Sequence, residues 1–150
     1  MPRFRYRMQN ILTLDEKLEE QQKAAFSLAN MRLQDEQKVL QELMLKKADY
    51  EQRVKDYATG SVDIKEIHRC KEGVRVTDIQ IRQQMINIRR AQRQVDVERT
   101  RLNEAMQARK TQEKLKEKAF DVFKAEMAAE ENKVTDELIS YKYGTGATGQ

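Results

Sequence analysis

Ile81-Arg82-Gln83-Gln84-Met85-Ile86-Asn87-Ile88-Arg89-Arg90-Ala91-Gln92-Arg93-Gln94-Val95-Asp96-Val97-Glu98-Arg99-Thr100-Arg101-Leu102 is the stretch that decides the fold. Steps of four and three residues lead from Ile81 through Met85, Ile88, Gln92, Val95 and Arg99 to Leu102, a spacing that puts side chains on one stripe of an α-helix. The walk extends back to Val74 and Asp78. It runs on through Met106, Arg109, Glu113, Lys116, Phe120, Phe123, Met127, Glu130, Val134 and Glu137 to Tyr141. A seven-residue repeat sustained this far predicts a left-handed supercoil with a partner helix.

The partner lies upstream. From Met8 the same steps pass Leu12, Asp15, Glu19, Gln22, Phe26, Ala29, Leu33, Glu36, Leu40, Leu43, Lys47, Tyr50 and Val54 to Tyr57. At ~1.5 Å per residue the two stretches would be roughly 75 Å and 100 Å long, and neither can bury its stripe alone. Between them Ala58-Thr59-Gly60-Ser61 is turn-like. The expected fold is therefore all-α: a long antiparallel two-stranded coiled-coil hairpin. Its helices should span about 8–57 and 63–142, with a tip at about 58–70. The whole of 1–143 would be one domain and 144–150 a flexible tail.

Asp63 and Glu66 have capping-box spacing at the start of the second helix. Pairing like with like, facing residues should sum to about 128. That sets Val54 against Val74, Leu43 against Met85, Leu40 against Ile88 and Met8 against Phe120, with Glu36–Gln92 and Glu19–Arg109 as polar layers. Met127, Val134 and Tyr141 would then extend beyond the first helix, as an apolar stripe open to docking.

Composition agrees with a thin seam. The chain has 150 residues, 36% charged and 39% apolar, with one proline, Pro2, and a mean hydropathy of −0.90. There is too little apolar material for a thick core and nothing after Pro2 to break a helix. No apolar run reaches the ~18 residues of a membrane span, and the N-terminus lacks the apolar stretch of a signal peptide. A cytoplasmic protein is expected. One cysteine, Cys70, excludes an internal disulfide, and with one histidine, His68, no multi-residue metal site is expected. Both should be side chains at an exposed tip.

No phosphate-binding loop, zinc-protease motif or nucleophile–base pair occurs, so no enzyme and no cofactor are expected. Gly144-Thr145-Gly146-Ala147-Thr148-Gly149 matches a dinucleotide-binding pattern, but it follows a helix instead of a strand and reads as a tail. Net charge is +4, and residues 61–110 carry 12 basic against 7 acidic groups. The run from Arg89 to Lys110 lacks interleaved aromatics, so no nucleic-acid partner is expected. A solvated face is the ordinary reading and a site for an acidic protein partner the sharper one.

The opening Phe4-Arg5-Tyr6-Arg7-Met8-Gln9-Asn10-Ile11-Leu12, continuing through Leu14-Asp15-Glu16-Lys17-Leu18-Glu19-Glu20, resembles the start of the bacterial flagellar export protein FliJ family. Length, two-helix layout and near absence of proline agree with it. The resemblance implies a soluble component of the flagellar type III protein export apparatus, serving flagellum biogenesis and thereby motility and chemotaxis. It implies a fold similar to the central stalk subunit of rotary ATPases. The chain termini would dock in the hexameric export ATPase ring through Met8, Ile11, Leu12, Phe120, Phe123 and Met127, promoting ring assembly and activity.

Leu43 and Tyr50 would contact the cytosolic domain of the export gate membrane protein or unloaded export chaperones. Gly73 and Thr77 stand where the resemblance calls for larger apolar residues. The free protein would be a monomer, peripherally associated with the cytoplasmic side of the membrane at the flagellar base. The alternative is a homodimeric coiled-coil scaffold without an ATPase partner.

Overall fold

The structure, a computed structural model, describes residues 2–147. Two long helices, α1 (Gln9–Thr59) and α2 (Ile64–Ala147), pack against each other, and no strand occurs among the described residues. The all-α hairpin expected from the repeat is what forms. The backbone of residues 144–147 continues α2, whereas Thr148–Gln150, the rest of the expected tail, lie outside the described residues.

Gly60 to Asp63 connect the helices. Thr59 closes α1 by donating from Oγ1 to the Lys55 carbonyl (3.1 Å), and the Glu66 N–H donates to Asp63 Oδ1 (3.3 Å) to cap α2. A carboxylate at this position accepts one of the amides that a helix start leaves without an intrahelical acceptor. Gly60 does not adopt a left-handed conformation and has room for a Cβ, so the turn does not depend on glycine.

The chain forms two compact units, Met1–Glu19 with Ala105–Gln150, and Glu20–Glu104. The second is the tip unit. Its cross-helix contacts run antiparallel: Arg99 lies over the Phe26 ring (5.7 Å), Gln22 donates to Glu98, Gln84 to Glu36, and Lys47 pairs with Asp78 (2.7 Å). Lys47 is held protonated above its usual range, first by that hydrogen bond and then by the Asp78 charge.

The α1 stripe lies where the repeat puts it, with its positions from Leu12 to Tyr57 buried or half-buried. The α2 stripe does not. Ile81, Ile88 and Val95 face inward as expected, but Met85, Gln92 and Arg99 are exposed, and Thr77, Gln84, Ala91 and Glu98 take the intervening seam places. The expected Leu43–Met85 and Glu36–Gln92 pairs are therefore replaced.

Hydrogen bonding and size explain the shift. Gln84 donates to both the Glu36 carboxylate and its backbone carbonyl (2.8 Å), and Ala91 is half-buried. Buried amides and carboxylates are tolerated where they are paired, so a row of polar and small residues displaces the more apolar row beside it.

Near the tip, Gly73 carries the ring of Tyr50. A Cβ on Gly73 would fall 2.7–2.8 Å from three ring atoms, closer than carbon atoms approach. Thr77, 1% exposed, turns its hydroxyl to the Gly73 carbonyl (2.7 Å). Small residues here make a seat for an aromatic ring from α1. Cys70, expected at an exposed tip, is 3% exposed and packs into the same seam, while His68 is exposed.

Candidate functional site

The other unit brings the start of the chain onto the later part of α2. Before α1 begins, Arg3-Phe4-Arg5-Tyr6-Arg7 runs without helical hydrogen bonds, and its side chains alternate: Phe4 and Tyr6 are half-buried, Arg3, Arg5 and Arg7 exposed. Alternation of this kind is what an extended segment produces when one side rests on a surface. Phe4 packs against Phe120 (centroids 5.1 Å apart, rings inclined 59°) and Phe123 (5.5 Å, 48°), within the tilted range favoured by ring quadrupoles. The Tyr6 hydroxyl donates to Gln112 Oε1 (2.8 Å).

The Gln9 N–H donates to the Tyr6 carbonyl (3.1 Å), turning the chain from this strap into α1. Lys116 Nζ then donates to Gln9 Oε1 (2.8 Å). Deeper in the unit, Arg109 binds both the buried Glu19 and Glu113 (2.8 Å). Its guanidinium is held above the ordinary arginine value, chiefly by the Glu113 hydrogen bond and next by that of Glu19. The expected Glu19–Arg109 layer is present.

The residues that the resemblance assigns to ring docking fall into two groups. Met8, Ile11 and Phe120 are about two-fifths exposed, whereas Leu12 is 3% exposed and Phe123 and Met127 are half-buried. Leu12 is core of this unit. Lys124 Nζ lies over the Phe120 ring (4.9 Å). Leu14, Leu18, Leu115 and Val122 add further exposed apolar surface.

Beyond Met127 every described side chain through Gly144 is exposed, including Val134, Leu138, Ile139 and Tyr141. About five turns of α2 thus pass the last half-buried position. Phe4 and Tyr6 belong to this end although the three-and-four repeat does not reach them; their signal in the sequence is a period-two spacing between arginines.

In the tip unit, Leu43 and Tyr50 are half-buried seam residues, with Tyr50 lying on Gly73. Among the described residues no group of three or more His, Cys, Asp or Glu side chains is placed to hold a metal. No described helix is long and apolar enough to cross a membrane.

Fold and site together define a helical-hairpin protein whose terminal unit presents apolar side chains among charged ones. A sequence model of the flagellar FliJ protein family matches residues 4–148, and the chain belongs to that family. Membership implies a component of the flagellar export apparatus. No curated protein and no solved structure matches the chain.

Proposed function

We propose that the protein is a non-enzymatic coupling factor of flagellar export: its terminal unit docks in the export ATPase ring, promotes ring assembly and turnover, and communicates with the export gate and unloaded chaperones. The observation that carries the reading is the exposed apolar surface of Met8, Ile11 and Phe120. Exposed apolar side chains held close together within one unit of a highly charged chain offer an interaction surface. Leu12 and Phe123 support that surface from beneath.

Leu43 and Tyr50 contribute to gate or chaperone binding by shaping the tip seam. The protein is monomeric when free and acts at the cytoplasmic side of the membrane.

Hydrolysis by the cognate export ATPase, with and without the protein, tests the reading, with ring formation followed in the same samples. Met8→Asp with Ile11→Asp should abolish stimulation and leave helix content unchanged, because both side chains already face solvent. Phe120→Asp with Phe123→Asp should abolish it too, while also releasing the Phe4 strap. Stimulation that survives the Met8 and Ile11 pair sinks the assignment of this end. Sedimentation as a dimer without any effect on the ATPase would favour the scaffold.

A further inference from the structure

The seam shift in α2 leaves something outside. With Thr77, Gln84, Ala91 and Glu98 turned inward, Ile79, Ile86 and Arg93 repeat every seven residues on the side of α2 farthest from α1 in the tip unit. Val76 is beside them, and Arg82 and Arg89 form one flank; all six are exposed. Ile79 is 52% and Ile86 40% exposed, although Gln84 between them is 6% exposed.

Charge on this face is one-sided. From Ile79 to Val95, between Asp78 and Asp96, there are four arginines and no acidic residue, the longest acid-free run in the chain. Arg53, Arg69, Arg75, Arg99 and Arg101 in the same unit each reach a carboxylate on their own helix. Among the described residues Arg82, Arg89, Arg90 and Arg93 make no ion pair. Arg90 borders a groove that also contains Arg32, Asp35 and Glu36 of α1; Arg82, Arg89 and Arg93 are exposed.

We propose that this outward face of α2, from Val76 to Arg93, binds an acidic amphipathic helix of a partner protein, laid along α2 as a third strand. Two features select that occupant. Ile79 and Ile86, seven residues apart with Val76 beside them, form a short ridge one residue wide that a helix with the same repeat can straddle. The arginines, free of intramolecular carboxylates, present forked donors that match carboxylates on the flanks of such a helix. A lipid surface would call for a broader apolar face with aromatic residues, and a nucleic acid makes no use of an aliphatic ridge. The site does not depend on ring docking by the terminal unit.

The test uses the full chain and a synthetic peptide about three heptads long, with Leu and Ile at its a and d positions and Glu on the flanks. The repeat makes it indifferent to a seven-residue slip. Binding is followed by fluorescence anisotropy at moderate salt, with circular dichroism of each variant as the control for folding. The peptide should bind, its scrambled counterpart should not, and Arg82→Glu with Arg89→Glu should weaken binding by about ten-fold or more. Ile79→Asn with Ile86→Asn should weaken it comparably, and Met8→Asp with Ile11→Asp should leave it unchanged.

Absence of peptide binding overturns the proposal, as does equal binding of the scrambled peptide, which would reduce the site to charge alone. Binding instead to vesicles of phosphatidylcholine and phosphatidylglycerol or to duplex DNA, lost in the same arginine variants, overturns it in favour of those ligands. Self-association of the chain that the arginine variants abolish gives the face to a second copy and overturns it as well.

Discussion

The two units solve the same problem, closing a thin seam between two highly charged helices, with different materials. In the tip unit the closure relies on small residues and paired amides: Tyr50 seated on Gly73, Gln84 bonded to Glu36, Gln22 bonded to Glu98. In the terminal unit it relies on an aromatic clasp from outside the helix, Phe4 on Phe120 and Phe123, and on the Glu19–Arg109–Glu113 cluster. The tip unit consumes its most compact residues inward and is left with an aliphatic, arginine-rich outer face. The terminal unit uses one aromatic layer on its own strap and leaves Met8, Ile11, Val134 and Leu138 exposed. Each unit's exposed chemistry is a by-product of how its interior was closed.

The contrast breaks most sharply at Gly73. Gly73→Leu should destabilise the tip unit by about 1–3 kcal/mol, because the added side chain occupies the place of the Tyr50 ring. Gly73→Ala should also destabilise, despite the ~1 kcal/mol that alanine gains in a helix interior. In a Tyr50→Ala background the same change should turn stabilising, and a thermal-melt double-mutant cycle reads that sign reversal. Without it, the ring does not depend on the glycine.

Phe4→Ala is the corresponding cut in the terminal unit. The tilted ring contacts are worth about 1 kcal/mol beyond the area they bury. Hydrogen exchange should therefore speed up over residues 4–12 and around Phe120, with tip-unit amides unaltered. Acceleration spread equally over both units would show that the strap supports the whole chain.

A residue swap tests the α2 seam directly. Gln84→Met together with Met85→Gln restores the row that hydrophobicity alone selects, but removes the donor to Glu36. The swap should cost about 1 kcal/mol in a denaturant melt; a gain in stability would reinstate the apolar row.

The smallest effect belongs to Lys47 and Asp78. Lys47 keeps its proton to higher pH in the folded state than in the unfolded chain, so the contribution is fully present below the ordinary value of 10.5 and fades as pH rises through the folded one. Lys47→Met should flatten the alkaline end of the melting-temperature profile slightly. Exposed pairs of this kind contribute little, and an unchanged profile would assign the alkaline loss to other groups.

Much was decided by the sequence alone. A repeat of three and four residues, no proline after Pro2 and a single turn signal leave an all-helical hairpin as the only economical fold, and Asp63 announces the start of α2. The α1 stripe was legible because its apolar and aromatic members dominate one face. The Glu19–Arg109 layer was legible from complementary charge. Tertiary structure alone decided the α2 face, because Gln84 and Met85 are neighbours on adjacent rows and only the acceptor at Glu36 tips the balance toward the amide. It also decided that Gly73 is a seat for a ring, since the reason lies in Tyr50, on the other helix. The strap escaped a helical search because Phe4 and Tyr6 obey a period of two, and their partners Phe120, Phe123 and Gln112 are brought to them only when the hairpin closes.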